Sequence, residues 1–424
     1  MLLAMAICLL SSARESSSIS DSYTWAPLSW TTVGDRLYSF CSEQDALTPA
    51  AAGQLAKTSL MIHGMEVGAN LPPVWENSEM KVGLAAAQLR KLNPAQLQLY
   101  TVQIDYARSV YASGAWFNAN PQCTLKDAEG QPVLNNASSA ATARGHCDHK
   151  VAVPGKSYPF GACVVYGFDT ECGATQWVKS ITDACETYDL DGVFIDGFQG
   201  YSPSGFNRVL GKCSPQTQKA WLHGLNASLF ALHRNFTTGK NAKKKKKIIC
   251  NQTGGTYNCD VTTGECYCTA SNDERWGGGS DGVTALQTYD ASFPDKGVIV
   301  HVPHVMVNNA IYNSSLASFL LGAGSGDAYG IGFGYECDSG GWLKASEDPN
   351  LKKPLGAPLG PAVNSSNIWQ RQFASGVKVY MNATPVISVG ARLNTCIVWN
   401  DGTRTPRNDG CEQMARLEAA AAGG

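Results

Sequence analysis

Short apolar runs alternate with longer segments of helical pattern along most of the 424-residue chain. Apolar runs that are bounded by turn-forming residues are typical of buried strands. The predicted strands are Leu37–Cys41, Thr58–His63, Leu97–Ile104, Gly192–Ile195, Lys247–Asn251, Val283–Tyr289 and Val298–Val302. Two further runs, Ala328–Gly334 and Val377–Asn382, are alternatives for the last strand.

Helical segments fall between these strands. They are rich in helix-forming residues, and they cover residues 79–92, 176–188, 216–236 and 309–321. Strands that alternate with crossover helices form parallel sheets, and the number of strands is about what an eight-stranded barrel requires. The pattern therefore predicts an α/β fold, a (β/α)8 TIM barrel.

One spacing conflicts with this prediction. Only residues 290–297 separate the predicted strand Val283–Tyr289 from Val298–Val302. Two parallel neighbours need a longer crossover than that. Either one of the two strands is wrongly assigned or the barrel is irregular at this point.

Two long insertions interrupt the pattern, over residues 106–168 and 253–282. Both follow predicted strands, so in a barrel they lie on the C-terminal face, where active sites are built. We predict four parts of the chain: a signal peptide over residues 1–13, an N-terminal extension over 14–35, the barrel over 36–411 and a tail over 412–424.

Composition and cysteine content indicate an exported protein. The net charge is −2 and 16% of the residues are charged, which argues against a nucleic-acid partner. The apolar run Leu2–Leu10 has the length of a signal-peptide core, although no basic residues precede it, and no later segment is apolar enough to span a membrane. Of fifteen cysteines, Cys8 lies in this segment, which leaves an even number suited to disulfides.

N-glycosylation sequons also favour the secretory route over a cytosolic enzyme with scattered thiols. They begin at Asn136, Asn226, Asn235, Asn251, Asn313, Asn364 and Asn382. A zinc site built from Cys250, Cys259, Cys266 and Cys268 is the alternative to disulfides in the second insertion, but their spacing matches no standard ligand pattern.

The segment DGVFIDGF delivers the carboxylate of Asp196 to the C-terminal end of a buried strand. An alternative is that Asp196 only forms a turn with the glycine that follows it. Hydrolysis of a glycosidic bond needs two carboxyl groups beside one bond. Other acids at predicted strand ends are Asp105, Asp290 and Glu336, and Glu76 follows the second strand.

Aromatic side chains lie beside these acids and could pack on sugar rings, with core packing as the alternative for each. They are Trp75, Tyr289, Tyr335 and Trp342. Asn251 ends the fifth strand and is a further candidate for substrate binding. His301 and His304 are spaced for opposite faces of a strand, so we expect no shared metal, and no motif for a cofactor is present.

Several segments resemble the hypothetical glycosyl hydrolases with a TIM barrel, a group related to the endo-polygalactosaminidase-like and retaining α-glycosidase barrels. The segments are VWENSEMKVGLAAAQLRKLNP, QCTLKDAEGQPV, VVYGFDTECGATQWVKSI leading to DGVFIDGF, ASFLLGAG, PLGAPLGPA and RQFASGVKVYMNAT, within residues 37–384. The resemblance implies that Asp196 is the nucleophile or key carboxylate, and that a second acid lies near the fifth or sixth strand. At those places this chain has Asn251 and Gln287, with Asp290 three residues further on.

The sequence thus predicts a secreted, disulfide-stabilised barrel that hydrolyses a polysaccharide or glycan without metal or cofactor. Asp196 is the predicted lead carboxylate, and Asp290 or Glu336 is the predicted proton donor. A glycan-binding barrel without a working acid pair and an extracellular structural glycoprotein are the alternatives, because a fold does not dictate its function.

Overall fold

The structure of the protein is a computed structural model. It describes residues 28–43, 45–64, 67–74, 76–108, 110–135, 163–197, 213–238, 246–251, 266–273, 278–302, 309–331, 349–383 and 394–405, together with Trp25, Leu210, Gly211, Trp276, Cys411 and Arg416. No helix within these residues is long and apolar enough to cross a membrane.

Eight parallel strands form one sheet in the order β1-β2-β3-β6-β7-β8-β9-β10. The strands are β1 Tyr38–Cys41, β2 Leu60–His63, β3 Leu97–Gln103, β6 Gly192–Asp196, β7 Lys247–Asn251, β8 Ala270–Asp273, β9 Gly297–Val302 and β10 Ala328–Ile331. A parallel bridge between Leu37 and Tyr329 brings the first and last strands together. The predicted (β/α)8 barrel is confirmed.

Side chains alternate along each strand between the inside of the barrel and the helix-facing side, as the two-residue period of a strand requires. Leu99, Phe194 and Ile249 belong to a compact cluster inside the barrel. Val102 and Ile195 belong to the larger core between the sheet and the helices. Gln103 lies four residues after Leu99, and Asp196 lies two residues after Phe194. The side chains of Gln103 and Asp196 therefore point to the inside of the barrel.

Seven helices lie among the described residues. They are α1 Pro49–Leu55, α2 Ser78–Leu92, α3 Ala112–Ala119, α4 Glu171–Thr187, α5 Pro215–Thr237, α6 Gly279–Ser292 and α7 Asn309–Gly322. Four helices begin at a residue whose side chain accepts a hydrogen bond from the first turn: Thr48, Asn77, Thr170 and Ser214. Such caps satisfy backbone donors that the helix itself leaves free.

The predicted strand Val283–Tyr289 is wrong, because this segment lies in α6. Val283 and Leu286 are buried at helical spacing, and Thr284 and Thr288 donate side-chain hydrogen bonds to carbonyls four residues earlier. The strand that fills this place in the barrel is β8, inside the predicted second insertion. Hence the short connection before β9 is a helix-to-strand loop, and the conflict in spacing disappears.

A second sheet, of five antiparallel strands, follows the barrel in sequence. Its strands are β11 Val363–Ser365, β12 Ile368–Gln372, β13 Lys378–Asn382, β14 Thr395–Val398 and β15 Arg404–Thr405. The two alternatives for the last barrel strand are thereby resolved in favour of β10. The predicted barrel range of residues 36–411 therefore also contains this sheet. A short hairpin, β4 Leu134–Asn135 with β5 Cys163–Val164, lies within the first insertion.

Disulfides join Cys123 to Cys172, Cys250 to Cys268 and Cys396 to Cys411. Cys41, Cys163 and Cys266 are disulfide-bonded as well. The predicted disulfide stabilisation is confirmed, and the zinc alternative is wrong for the three of its cysteines that lie in the described residues, because all three are in disulfides.

Candidate active site

Asp196 is the last residue of β6 and its half-buried side chain is held by three N–H donors. Oδ1 accepts hydrogen bonds from Asn251 Nδ2 at 2.7 Å and from the backbone N–H of Gly197 at 2.8 Å. Oδ2 accepts one from Gln103 Nε2 at 2.6 Å. All three donors are uncharged. Such donors fix both oxygens of a carboxylate in place without neutralising its charge.

The register of the sheet brings these donors to Asp196. Gln103 is the Cα partner of Asp196 in the β3–β6 pair, and Asn251 ends the neighbouring strand β7. Asn272, the Cα partner of Asn251 on β8, donates from Nδ2 to Asn251 Oδ1 at 2.7 Å. The ends of four adjacent strands thus carry one continuous set of polar side chains inside the barrel.

A second carboxylate, that of Asp105, lies beside the same strand end. A Cβ added at Gly197 would lie 3.5 Å from Asp105 Oδ1 and 2.9 Å from a methyl carbon of Ile104. Gly197 has a φ of 99°, which a residue with a side chain rarely adopts. Glycine therefore allows the chain to turn out of β6 while passing close to Asp105.

Tyr106 and Arg108 complete this part of the site. Arg108 Nη2 donates to Tyr106 Oη at 2.9 Å. Burial raises the pKa of the Tyr106 phenol; the Arg108 guanidinium opposes this rise, and the carboxylates of Asp105 and Asp196 add to it. Tyr106 consequently stays a protonated phenol and a potential hydrogen-bond donor close to both carboxylates.

Asp290, a predicted proton donor, does not lie at this face. It sits near the end of α6, where its carboxylate touches Gly324 and interacts electrostatically with Arg36 and Arg371. Arg36 precedes β1 and Gly324 precedes β10, so this is the N-terminal end of the barrel, opposite Asp196. The assignment of Asp290 as proton donor is corrected, because the segment before it is a helix rather than a strand.

Tyr289 and Gln287 lie on the same helix. Burial, and then the carboxylate of Asp273, raise the pKa of Tyr289, which packs against the outer core. Tyr289 therefore belongs to the outside of the sheet, not to the barrel mouth. Gln287 donates from Nε2 to Ala362 O at 3.0 Å, so it does not replace a carboxylate of the site.

Glu76 is exposed on the segment before α2, where it interacts electrostatically with Lys81. The predicted site residues Trp75, Tyr335, Glu336 and Trp342 lie outside the described residues, and so does His304. His301 lies on β9 and its Nδ1 is hydrogen-bonded to Tyr38 Oη. No group of three or more His, Cys, Asp or Glu side chains in the described ranges could hold a metal ion.

Sequence reasoning missed Gln103 and Asn272. Gln103 carries a usable signal, because it lies in the predicted strand Leu97–Ile104, two residues before Asp105, and so faces the same side as that acid. Asn272 carries no such signal, because β8 lies within the predicted insertion over residues 253–282 and is not an apolar run. Both residues are neutral amides, which attract less attention than acids in a search for catalytic groups.

The site can present one ionised carboxylate in a fixed orientation, with a second carboxylate and a phenol nearby. A carboxylate held in this way suits attack on an electrophilic carbon or stabilisation of a developing positive charge. Protonation of a leaving group requires a separate acid. The described residues offer Asp105 for that role.

Comparison with known proteins assigns the family. The model of hypothetical glycosyl hydrolase family 15 matches residues 160–377, just over half of the chain. The chain belongs to this family. Membership of hypothetical glycosyl hydrolase family 15 supports glycan hydrolysis as the general reaction and a carbohydrate as the substrate class. No protein of curated function matches the chain in sequence.

Solved structures of several glycosidases are distantly similar. An α-L-fucosidase isoenzyme 2 from Paenibacillus thiaminolyticus has 9% sequence identity and a TM-score of 0.44, and the match covers 73% of this chain and 48% of the fucosidase. A maltogenic α-amylase, AmyB from Thermotoga neapolitana, has 9% identity and a TM-score of 0.46, with 86% of each chain covered. A GH36 α-galactosidase, AgaB from Geobacillus stearothermophilus, has 11% identity and a TM-score of 0.44, and the match covers 84% of this chain and 48% of the galactosidase. This chain thus spans about half the length of the fucosidase and of the galactosidase.

Proposed function

We propose that this protein hydrolyses a glycosidic bond of a polysaccharide or glycan at the C-terminal mouth of the barrel. The observation that carries the proposal is the Asp196 carboxylate, held at a strand end by three uncharged N–H donors. In barrel enzymes the C-terminal ends of the strands carry the catalytic residues. The family match covers this strand and the four that follow it in the sheet.

Asp196 acts in this proposal as the ionised carboxylate. It either attacks the anomeric carbon or stabilises the positive charge that develops there. The amide donors hold its oxygens in one orientation, so little reorganisation is needed when the charge develops. Arginine or lysine partners in their place would compete with the substrate for the negative charge.

Asp105 is proposed as the second acid, in place of Asp290. Its carboxylate lies against Gly197, beside the lead carboxylate. The charges of both carboxylates raise the pKa of Tyr106. One carboxyl group donates a proton to the leaving oxygen while the other faces the sugar carbon. Glu336 remains a prediction for the same role.

The test is the substitution Asp196→Asn, which keeps the shape of the side chain and removes its charge. Purified wild-type and variant proteins are incubated with a panel of 4-nitrophenyl glycosides and polysaccharides, and released product is measured. We expect the rate of hydrolysis to fall on the order of 10³-fold or more, because the nucleophile is lost. Hydrolysis at the wild-type rate in the variant would refute the role of Asp196.

The same panel separates the enzyme from a glycan-binding barrel. Saturable binding of a polysaccharide by the wild-type protein, without release of sugar from any member of the panel, would favour the binding function. Circular dichroism spectra and melting temperatures of both proteins serve as the control, since they reveal a variant that has lost activity by failing to fold.

Export through the secretory pathway is proposed as well. Disulfides form and persist in oxidising compartments, and three pairs are found in the described residues. The sequons at Asn235, Asn364 and Asn382 have exposed side chains that an oligosaccharide could occupy. Asn251 is an exception, because it is fully buried and bonded to Asp196.

A further inference from the structure

Four side chains from four adjacent barrel strands are linked by hydrogen bonds, and Asp196 accepts from both sides. Asn272 Nδ2 donates to Asn251 Oδ1 at 2.7 Å, and Asn251 Nδ2 donates to Asp196 Oδ1 at 2.7 Å. On the other side, Gln103 Nε2 donates to Asp196 Oδ2 at 2.6 Å. Each amide therefore points a donor toward the carboxylate.

The bond from Asn272 decides which end of the Asn251 amide faces Asp196. An amide side chain has an acceptor at one end and a donor at the other. Because Asn272 occupies the acceptor end of Asn251, only the donor end is left for the carboxylate. If the Asn251 amide turned over, its oxygen would face Asp196 Oδ1, and two oxygens without a proton between them repel each other.

Bulk solvent does not compete with the hydrogen bond between Asn272 and Asn251. Asn251 and Asn272 are 0% and 1% exposed, so both amides are shielded from solvent. Asn272 Oδ1 is also buried, and it finds no hydrogen-bond partner among the residues that the structure describes. Burying an amide oxygen without a partner costs free energy. A purely structural position in the barrel interior would be better filled by an apolar residue.

We infer that Asn272 is a positioning residue for the hydrolysis proposed above: it orients the Asn251 amide, which in turn orients and stabilises the Asp196 carboxylate. This inference rests on the proposed function of Asp196. Asn272 itself needs no contact with the substrate. Its removal should therefore lower kcat and leave KM nearly unchanged, as expected for an interaction that acts on the transition state.

Two substitutions test the inference. Asn272→Leu removes the donor and adds no charge. Asn272→Asp keeps the shape but replaces the donor with an acceptor, so that the introduced carboxylate accepts from Asn251 Nδ2 and turns the Asn251 oxygen toward Asp196. That arrangement favours a protonated Asp196, because a proton is then needed between the two oxygens.

The expected results differ between the two variants. For Asn272→Leu we expect kcat to fall about tenfold or more, since a small misplacement of a reacting group is costly. For Asn272→Asp we expect a similar loss and, in addition, a shift of the acidic limb of the kcat–pH profile by about one pH unit to higher pH. Both variants keep the titratable groups that the described residues place near Asp196, which are Asp105 and Tyr106, and they keep Arg108, which is hydrogen-bonded to Tyr106. Asn272→Asp adds one carboxylate of its own, and Asn272→Leu adds none.

Gln98→Leu is the matched control. Gln98 is fully buried and its Oε1 lies 2.8 Å from His63 Nε2, a hydrogen bond between β2 and β3 that does not involve Asp196. We expect this variant to lose stability and to keep the wild-type pH profile. A shift of the acidic limb in the control as large as that in Asn272→Asp would show a general effect of disturbing the barrel, and would overturn the inference.

A measurement without substrate completes the test. In protein labelled with 13C at aspartate carboxyl groups, the Asp196 signal is identified by its loss in Asp196→Asn and is followed through a pH titration. We expect the signal to titrate at higher pH in Asn272→Asp than in the wild-type protein. An unchanged titration in that variant, like wild-type kcat values in both, would overturn the role of Asn272. By contrast, wild-type hydrolysis in Asp196→Asn would overturn the proposed function itself.

Discussion

Asp196 and Asp327 are aspartates at opposite ends of the barrel, and their surroundings differ sharply. Asp196 ends β6, is half-buried and is held by uncharged N–H donors. Asp327 precedes β10, is almost fully buried and accepts hydrogen bonds from the backbone N–H groups of Val298 and Gly324, each at 2.8 Å. The buried guanidinium of Arg36 also interacts electrostatically with Asp327.

The N-terminal end of the barrel holds buried charges that stabilise the fold, whereas the C-terminal end holds the carboxylate that is proposed to act on a substrate. Arg36 at the N-terminal end donates to the carbonyl oxygens of Leu28 and Ser325, and it stacks on the Trp30 ring at 3.6 Å. Its charge and that of Asp327 are enclosed and have no access to a substrate. Asp196 lacks a counter-ion among its hydrogen-bond donors, so its charge is left to act on a ligand. An acid at a strand terminus is thus a catalytic candidate only at the C-terminal end.

The largest expected effect separates Asp105, the proposed proton donor, from Asp290, which the sequence had predicted for that role. Asp105→Asn should lower kcat/KM about 10²- to 10⁴-fold, the range typical of a lost general acid or base. Asp290→Asn should leave hydrolysis nearly unchanged, because Asp290 lies at the N-terminal end. Both variants are assayed on the glycoside that the wild-type protein cleaves best. If Asp290→Asn were the less active variant, the division between the two ends would be wrong.

A smaller effect concerns the pH dependence of stability. Burial raises the pKa of Asp327 from its ordinary value of 3.8 to about 6, although its two backbone hydrogen bonds and Arg36 lower it. Between these values the folded protein holds a proton that the unfolded chain has released. The resulting stabilisation is complete below about pH 4 and is lost as the pH rises through about 6.

We therefore expect Asp327→Asn to flatten the pH dependence of unfolding. The decrease in the free energy of unfolding between pH 4 and pH 6 should be smaller in the variant by on the order of 3 kcal/mol, at about 1.4 kcal/mol for each pH unit. Urea denaturation with intact disulfides at several pH values measures it. An equal slope in the two proteins would mean that Asp327 does not hold the extra proton.

The smallest expected effect concerns two sequons that differ in exposure, since Asn382 is exposed and Asn251 is buried. After expression in a eukaryotic secretory system, Asn382→Gln should reduce the protein mass by one oligosaccharide and change the free energy of unfolding by no more than about 0.5 kcal/mol. Asn251→Gln should leave the oligosaccharide content of the folded, exported protein unchanged, because Asn251 is buried. Mass spectrometry before and after deglycosylation measures both. A protein without any oligosaccharide would contradict the proposed export.

Much of the barrel could be predicted from the sequence, because its buried strands are apolar runs. β3, β6, β7 and β9 are such runs, and DGVFIDGF marks both a strand and its terminal acid. The failure at residues 283–289 arose because helices and strands can both show short apolar patterns. β8 was missed for the converse reason: Ala270–Asp273, ASND, has little apolar content, so no apolar run marks it.

The sequence by itself determined the barrel fold, the use of disulfides and the lead carboxylate, since strand period, cysteine number and the segment around Asp196 are local properties of the chain. Only the tertiary structure decided which residues accompany that carboxylate. Gln103, Asn251 and Asn272 come from three strands whose order and register in the sheet bring them together. The tertiary structure also decided the place of Asp290, three residues after Gln287. Because this segment folds as a helix, Asp290 lies at the N-terminal end of the barrel, opposite Asp196.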